Sequence, residues 1–584
     1  MKKTTITFLA AGLLLASGLK AQTIQEGLNH LYADRFKSAI AVFEKLLATN
    51  PNNIDATYWL GQTYFDMDDN VKARQLYDKA LASNGSAPLI LVGLGHADLH
   101  DNKTSDARQK FEAAITASRG KKGDDPGVTS AIARANVDAK AGDAVYAVQK
   151  LEPVVDRGEK STEALLQLGN AYRKAKPGEG GGQAFETYKK ALQANPAFAV
   201  ANLRLAKLFE SQKNWELVLK YLNDAVTSDP KFAPAYYELF YYYFFRLKYP
   251  EAEEQLTKFI ANSDPDPQHE FLYAQLCWAK KDFACAIAKA ESVITAMGQK
   301  TKPKVYKLLA DANFQKGDYT NAKKYTDLYF AREKKEDIIS MDYKLLADIL
   351  SKTGGTVDEI YSTYMKGAAL DTVLTSRIDF IKQGAEAFKT KADSISRLKE
   401  GDLRMEVIKL KPNPSQRDYF DAGFAYYQGS AYLKSDSLFA IISTKYPDDI
   451  YGPQMQFAIA RILDSTMAKG SAVPHGVRYL TILEKDTAKN KKAILSTAGY
   501  LAQYYANIAK DNVKAVEYFR KMLALNPDNA DVLQKYVDQL EGKTSTKPTI
   551  APKGNAPPKA TAVKTTKTTK KPTPVKSKNT ALKK

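Results

Sequence analysis

The stretch that decides the fold is Leu60-Gly-Gln-Thr-Tyr64, followed after a short gap by Ala73-Arg-Gln-Leu-Tyr77-Asp-Lys-Ala80. Shifted by 34 residues either way, the same chemistry returns. Gly27, Gly61 and Gly95 form one series, Ala39, Ala73 and Ala107 a second, and Phe43, Tyr77 and Phe111 a third. Two antiparallel helices approach closely only where the facing side chains are small. Gly61 opposite Ala73 supplies that closeness, and Tyr77 fills the space beside it. A fixed period of this kind predicts a pair of helices per repeat, stacked into a solenoid.

Proline supplies the stops. Pro51, Pro196 and Pro230 stand where the second helix of a repeat should end, and the last two are again 34 apart. Proline lacks the required N–H and biases the residue before it away from helix.

On these residues the chain resembles the tetratricopeptide repeat family. That family carries small residues at repeat positions 8, 20 and 27, an aromatic near 24 and a proline at 32; Gly61, Ala73, Ala80 and Tyr77 match it, with Leu60 and Tyr64 completing the first helix. The resemblance implies an all-α, right-handed superhelical solenoid. It runs on through Ala135, Gly169, Ala184, Tyr188, Ala206, Ala225, Ala252, Ala274, Ala286, Ala310 and Ala322. It fades between 336 and 411, where amphipathic helices are still expected. It recovers at Gly423, Tyr426, Phe439 and Pro447 and ends with Ala515 to Phe519 and Pro527. The expected organisation is a signal peptide (1–21), a solenoid of about nine repeats (22–336), degenerate helical repeats (337–411), further repeats (412–541) and a disordered tail (542–584). About fourteen helix pairs are expected in all, with an irregular join near 336–411.

The start of the chain reads as an export signal. Lys2 and Lys3 precede a mostly apolar run from Ile6 to Leu19, too short to span a bilayer, and Ala21 offers a cleavage point. The mature chain is therefore expected to be exported, periplasmic or outer-membrane-associated, with secretion as the alternative, and without a transmembrane segment. Of the net charge of +19, twelve charges belong to lysines after Gly542 and three to Lys2, Lys3 and Lys20, which leaves +4 on the body. The tail has no acidic and no aromatic residue. It cannot bury enough apolar surface to fold and should behave as an extended polycation. Anionic envelope polymers or lipid surfaces suit it as partners. Nucleic acid suits it less, because arginines for base contacts and aromatics for stacking are both missing.

Cys277 and Cys285 are the two cysteines. An oxidising compartment would permit a disulfide between them; two separate buried thiols are the simpler reading.

Catalytic and metal-binding patterns are scarce. His96 and His100 share one helix face, but Ala97 stands where a metalloprotease would carry its glutamate, so a solvated face is expected. Lys176 to Gly182 is glycine-rich but lacks the Gly-Lys-Ser/Thr of a phosphate loop, and reads as an enlarged turn within one repeat. No nucleophile motif, metal site or cofactor is expected, and no enzyme.

Aromatic residues point instead to binding. Tyr236 to Phe245 holds eight aromatics in ten positions. In the resembled family, first-helix positions 2, 5, 9, 12 and 13 line a concave groove that takes peptides. The resemblance places Tyr237, Tyr241, Phe244, Phe245, Phe271, Trp278, Tyr58 and Phe65 there. It also places Asn136 and Asn170 in the groove, with Lys207 one repeat on, as an incomplete version of a carboxylate clamp. The expected function is a non-catalytic scaffold holding a protein or peptide in that groove, tethered to the envelope by the tail. Since aromatic faces also stack on sugars, a glycan- or peptidoglycan-binding envelope protein is the alternative.

Overall fold

The computed structural model describes residues 23–543 other than Ser86. The expected signal peptide and tail residues 544–584 lie outside the described residues. The described chain divides between Thr301 and Lys302 into two compact units.

The first unit contains eight consecutive antiparallel pairs. They begin with α1 (Ile24–Tyr32) and α2 (Phe36–Thr49), α3 (Ile54–Asp66) and α4 (Asn70–Asn84), α5 (Pro88–His100) and α6 (Thr104–Ser118), and α7 (Pro126–Asp138) and α8 (Ala144–Asp156). They continue with α9 (Thr162–Ala175) and α10 (Gly181–Ala194), α11 (Ala199–Ser211) and α12 (Trp215–Ser228), α13 (Ala233–Phe244) and α14 (Tyr249–Ala261), and α15 (Gln268–Ala279) and α16 (Phe283–Met297).

The second unit has six pairs and a final single helix. The pairs are α17 (Pro303–Lys316) and α18 (Tyr319–Arg332), α19 (Ser340–Leu350) and α20 (Val357–Leu370), and α21 (Leu374–Lys389) and α22 (Ser394–Leu410). Next come α23 (Gln416–Gln428) and α24 (Tyr432–Lys445), α25 (Tyr451–Leu463) and α26 (Val473–Leu483), α27 (Thr487–Tyr504) and α28 (Asn512–Leu525), then α29 (Ala530–Leu540). Among the described residues there is no β-strand, and no helix is long and apolar enough to cross a membrane.

The repeat contacts explain the sequence period. Ala39, Ala73 and Ala107 are completely buried, as are Phe43, Tyr77 and, all but completely, Phe111. A Cβ on Gly27, Gly61 or Gly95 would collide with the ring sixteen residues later. Pro51, Pro196, Pro230, Pro447 and Pro527 each directly follow the C-cap residue of a second helix.

A second periodic feature lies in the turns. Asp34, Asp68 and Asn102, and again Lys213, Leu247 and Lys281, have positive φ between 56° and 63°. Each series is spaced by 34 residues, and Gly178, Gly317 and Gly354 have positive φ in the turns of other pairs. In these pairs one left-handed residue reverses the chain between the two helices.

Three expectations change. Residues 337–411 are not irregular: α19–α22 pair as regularly as the rest, and the division between units falls at 301/302 instead. Cys277 and Cys285 are joined by a disulfide with Cα atoms 5.7 Å apart, rather than remaining separate thiols. His96 is buried, not solvated, because α5 is covered almost all round. The glycine-rich Lys176–Gly180 is the enlarged turn between α9 and α10, with α10 starting at Gly181.

Candidate functional site

The aromatic run resolves into two rows along α13, as a helical repeat of four demands. Tyr236, Phe240 and Phe244 are buried in the core. Tyr237, Tyr241 and Phe245 form the adjacent half-buried row. Tyr237 meets Tyr241 edge-on at 5.0 Å, and Tyr241 stacks on Phe245 at 5.7 Å between ring centroids. The row continues onto the next repeat, where the Tyr241 hydroxyl donates to Gln275 Oε1 at 3.2 Å. On the same helix α15, Phe271 and Trp278 are half-buried, and the Trp278 indole N–H has no acceptor. The disulfide beside Trp278 ties α15 to α16. Burial, together with neighbouring Tyr237 and Glu238, holds the Tyr241 phenol far above its usual range, so it stays a donor.

The other predicted groove residues are spent on structure. Tyr58, Phe65 and Phe244 are almost wholly buried. Asn136 donates to the Ile132 carbonyl (2.9 Å) and accepts from the Asp143 amide (3.0 Å), which fixes the α7–α8 turn. Asn170 accepts from the Tyr188 hydroxyl at 2.8 Å and donates to Gln167. Lys207 pairs with Glu238 at 2.5 Å across one repeat. Of the predicted set, the structure brings Tyr237, Tyr241, Phe245, Phe271 and Trp278 onto two adjacent helices.

A buried polar chain joins α3, α4 and α5. Tyr77 donates to the Tyr58 carbonyl at 2.6 Å, Gln62 Nε2 donates to the Tyr77 oxygen at 2.9 Å, and His96 Nδ1 lies 3.1 Å from Gln62 Oε1. An amide oxygen only accepts, so His96 carries its proton on Nδ1, and its Nε2 has no partner. The His96 ring packs on Phe65 (4.3 Å) and His100 (5.0 Å). Burial, and then the His100, Arg134 and Lys174 charges, keep His96 neutral well below the usual histidine range. Among the described residues no group of three or more His, Cys, Asp or Glu side chains could hold a metal ion.

Sequence reasoning missed an ionic cluster drawn from several first helices. Arg134 on α7 reaches Glu163 Oε1 at 3.4 Å and Asp138 at 3.9 Å, and its guanidinium lies over the Trp59 ring at 5.1 Å. Asp34 and Asp66 reach water, yet protein surrounds them on most sides. Desolvation lifts Asp34 to about 6 against the pull of Arg204, and Asp66 to about 7 against Arg134. Glu163 is lifted to about 7 by desolvation. Lys174 is occupied by three carbonyls at the end of α7, those of Asn136, Val137 and Ala139, at 2.6–3.0 Å. No sequence signal links these residues, because the contacts join different repeats.

Comparison with known proteins agrees with the helical repeat. Two tetratricopeptide-repeat family profiles match, over residues 30–91 and 62–122. No curated protein sequence matches the chain. Among solved structures, the C-terminal part of a TPR repeat-containing protein from Cytophaga hutchinsonii is 24% identical, covering 45% of this chain and 98% of its own, with a TM-score of 0.27. A tetratricopeptide repeat protein from Parabacteroides merdae is 18% identical, covering 46% and 98%, with a TM-score of 0.30. Human IFIT1, solved as a dimer with PPP-AAAA, is 12% identical, covering 66% and 89%, with a TM-score of 0.39. The profiles match where the 34-residue period is strictest, and the glycine–aromatic contact that defines that period recurs at Gly169 with Tyr188 and at Gly423 with Phe439; the chain is a tetratricopeptide-repeat protein.

Proposed function

We propose that the protein is an exported, non-catalytic scaffold that binds an extended polypeptide along the aromatic row of α13 and α15. Tetratricopeptide repeats suggest a protein-interaction scaffold as the general role. The observation that carries the specific reading is the half-exposed series Tyr237, Tyr241 and Phe245, continued by Phe271 and Trp278. Rigid aromatic side chains bury large areas at low entropic cost and dominate binding surfaces. The lysine-rich tail is assigned an accessory role, holding the scaffold near an anionic envelope surface.

The test is the double substitution Tyr241→Ala and Phe245→Ala. Helix content should be retained, and capture of the partner recovered by the unaltered protein from envelope extract should be lost. Unchanged capture would remove the row from the binding surface. Sedimentation with purified cell-wall polymer, with and without residues 543–584, tests the tail and the glycan-binding alternative together. Sedimentation that depends on the aromatic row rather than on the tail would favour that alternative.

A further inference from the structure

The turn between α1 and α2 contacts more than its neighbour α3. It also meets the beginnings of the first helices in the fifth to eighth pairs. The Tyr32 hydroxyl donates to Glu163 at the start of α9 and accepts from Arg134 Nη2 at 3.0 Å. Its ring stands edge-on to Phe198, just before α11, at 5.9 Å. Arg35 Nη1 donates to the Lys231 carbonyl before α13 at 2.9 Å. The amides of Lys37 and Ser38 both donate to one Asp264 oxygen, at 2.7 and 3.2 Å, and the Ser38 hydroxyl donates to the other at 2.5 Å.

A helix start leaves its first amides without partners, and a side chain at the N-cap normally accepts from one of them. Arg35, at the N-cap of α2, makes no such bond. The cap comes instead from Asp264, 226 residues away from Ser38. The two sides of this first pair differ in chemistry. Toward α3 it is apolar, with Leu31, Phe43 and Leu60 buried together. Across to the later repeats Ala33 joins the buried cluster of α7–α13 and Tyr32 packs against it, while the rest of the contact is made by hydrogen bonds at half-buried or exposed sites. Such bonds are individually modest because water competes for both partners. The face of Leu31 and Phe43 fixes the pair to the chain, and the contact across to the later repeats, where Ala33 and Tyr32 are the apolar part and hydrogen bonds the rest, can be exchanged.

We propose that the beginnings of α9, α11, α13 and α15 form a docking surface for a polypeptide turn presenting a tyrosine hydroxyl, an arginine and an uncapped helix start, and that the first helical pair fills it in cis until a partner with those features replaces it. This rests on the reading that the scaffold binds polypeptide, but it uses a different surface from the aromatic row. The features required are those of Tyr32, Arg35 and the Lys37–Ser38 amides. The receiving groups are the Glu163 carboxylate, the Lys231 carbonyl and the Asp264 carboxylate.

The full chain carrying Tyr32→Ala and Arg35→Ala keeps every receiving group. A labelled synthetic peptide of residues 23–50 serves as the probe, read by fluorescence anisotropy, with hydrogen exchange over residues 36–40 reporting release of the turn. The variant should lose protection there and bind the peptide more than about tenfold tighter than the unaltered chain, since apparent affinity scales with the fraction of open surface. Adding Asp264→Ala should return binding to the unaltered level. Arg35→Ala alone should show a smaller change of the same sign if the double variant folds poorly. Equal binding by unaltered and variant chains, absence of binding by a variant whose turn is released, or a turn that stays protected would each overturn the proposal. Loss of capture in the Tyr241/Phe245 variant alongside successful peptide exchange would sink only the aromatic-row reading, and the reverse pattern only this one.

Discussion

Tyr77 occupies the space into which a side chain on Gly61 would project. The same ring fills the space above Gly93 on the next repeat, so one aromatic is packed between two glycines on successive first helices. Replacing Gly61 with alanine forces that ring, or the helices around it, to move. Overpacking of this kind costs about 1–3 kcal/mol. Urea unfolding of Gly61→Ala should show a lower midpoint. Gly61→Ala and Gly93→Ala together should be non-additive, because both displace Tyr77. A midpoint unchanged by either substitution would contradict the contact.

Leu247 has φ +60° and its side chain is largely exposed. A left-handed conformation costs an ordinary residue roughly 1–2 kcal/mol, part of which glycine returns through unfolded-chain entropy. Leu247→Gly should therefore stabilise the protein by up to about 1 kcal/mol. A thermal midpoint that falls would show that the Leu247 side chain makes contacts worth more than the strain.

His96 is held neutral in the folded state, whereas an unfolded histidine titrates near its ordinary value of 6.5. Below that value the unfolded chain binds a proton that the folded chain refuses, so His96 lowers stability progressively as pH falls from there. His96→Gln can still donate to Gln62 and carries no titrating group. Its stability relative to the unaltered protein should rise as pH falls from 7 to 5. A difference independent of pH would mean that His96 protonates freely when folded.

The Cys277–Cys285 bond spans eight residues and joins α15 to α16 close to the aromatic row. Closing so short a loop in the unfolded chain is worth about 2 kcal/mol. Reduction should lower the unfolding midpoint, and intact mass before reduction should be lighter by two hydrogens. Mass equal to that of the fully reduced chain would place two free thiols there.

The repeat was readable because its defining contact is local. Gly61 and Tyr77 lie sixteen residues apart in one helix pair, so the same spacing recurs wherever the pair recurs. Between 336 and 411 the same kind of contact persists with its roles exchanged. Gly384 on α21 meets Tyr364 on the preceding helix, and Gly367 on α20 meets Phe380 on the following one. A search at fixed offsets passes over that arrangement although the packing is equivalent. His96 was misread for another reason: from Pro88 to Ala97 there is no charged residue, which marks a helix buried on all sides rather than one with a wet face. At the candidate site, four-residue periodicity alone could have separated the row of Phe240 and Phe244 from that of Tyr241 and Phe245. The docking of the first pair had no such signal, because its partners lie 102 to 228 residues away.

That long-range cap has a consequence in time. Every other pair in the first unit can fold against the pair made just before it. The first pair is complete when Thr49 has been added, but its cap at Asp264 does not yet exist. At about 5–20 residues per second of synthesis, the wait is of the order of 10 to 45 seconds. The first pair is thus capped only after six further pairs have been made, and for that interval the start of α2 is an open hydrogen-bond donor, available to whatever the growing chain meets.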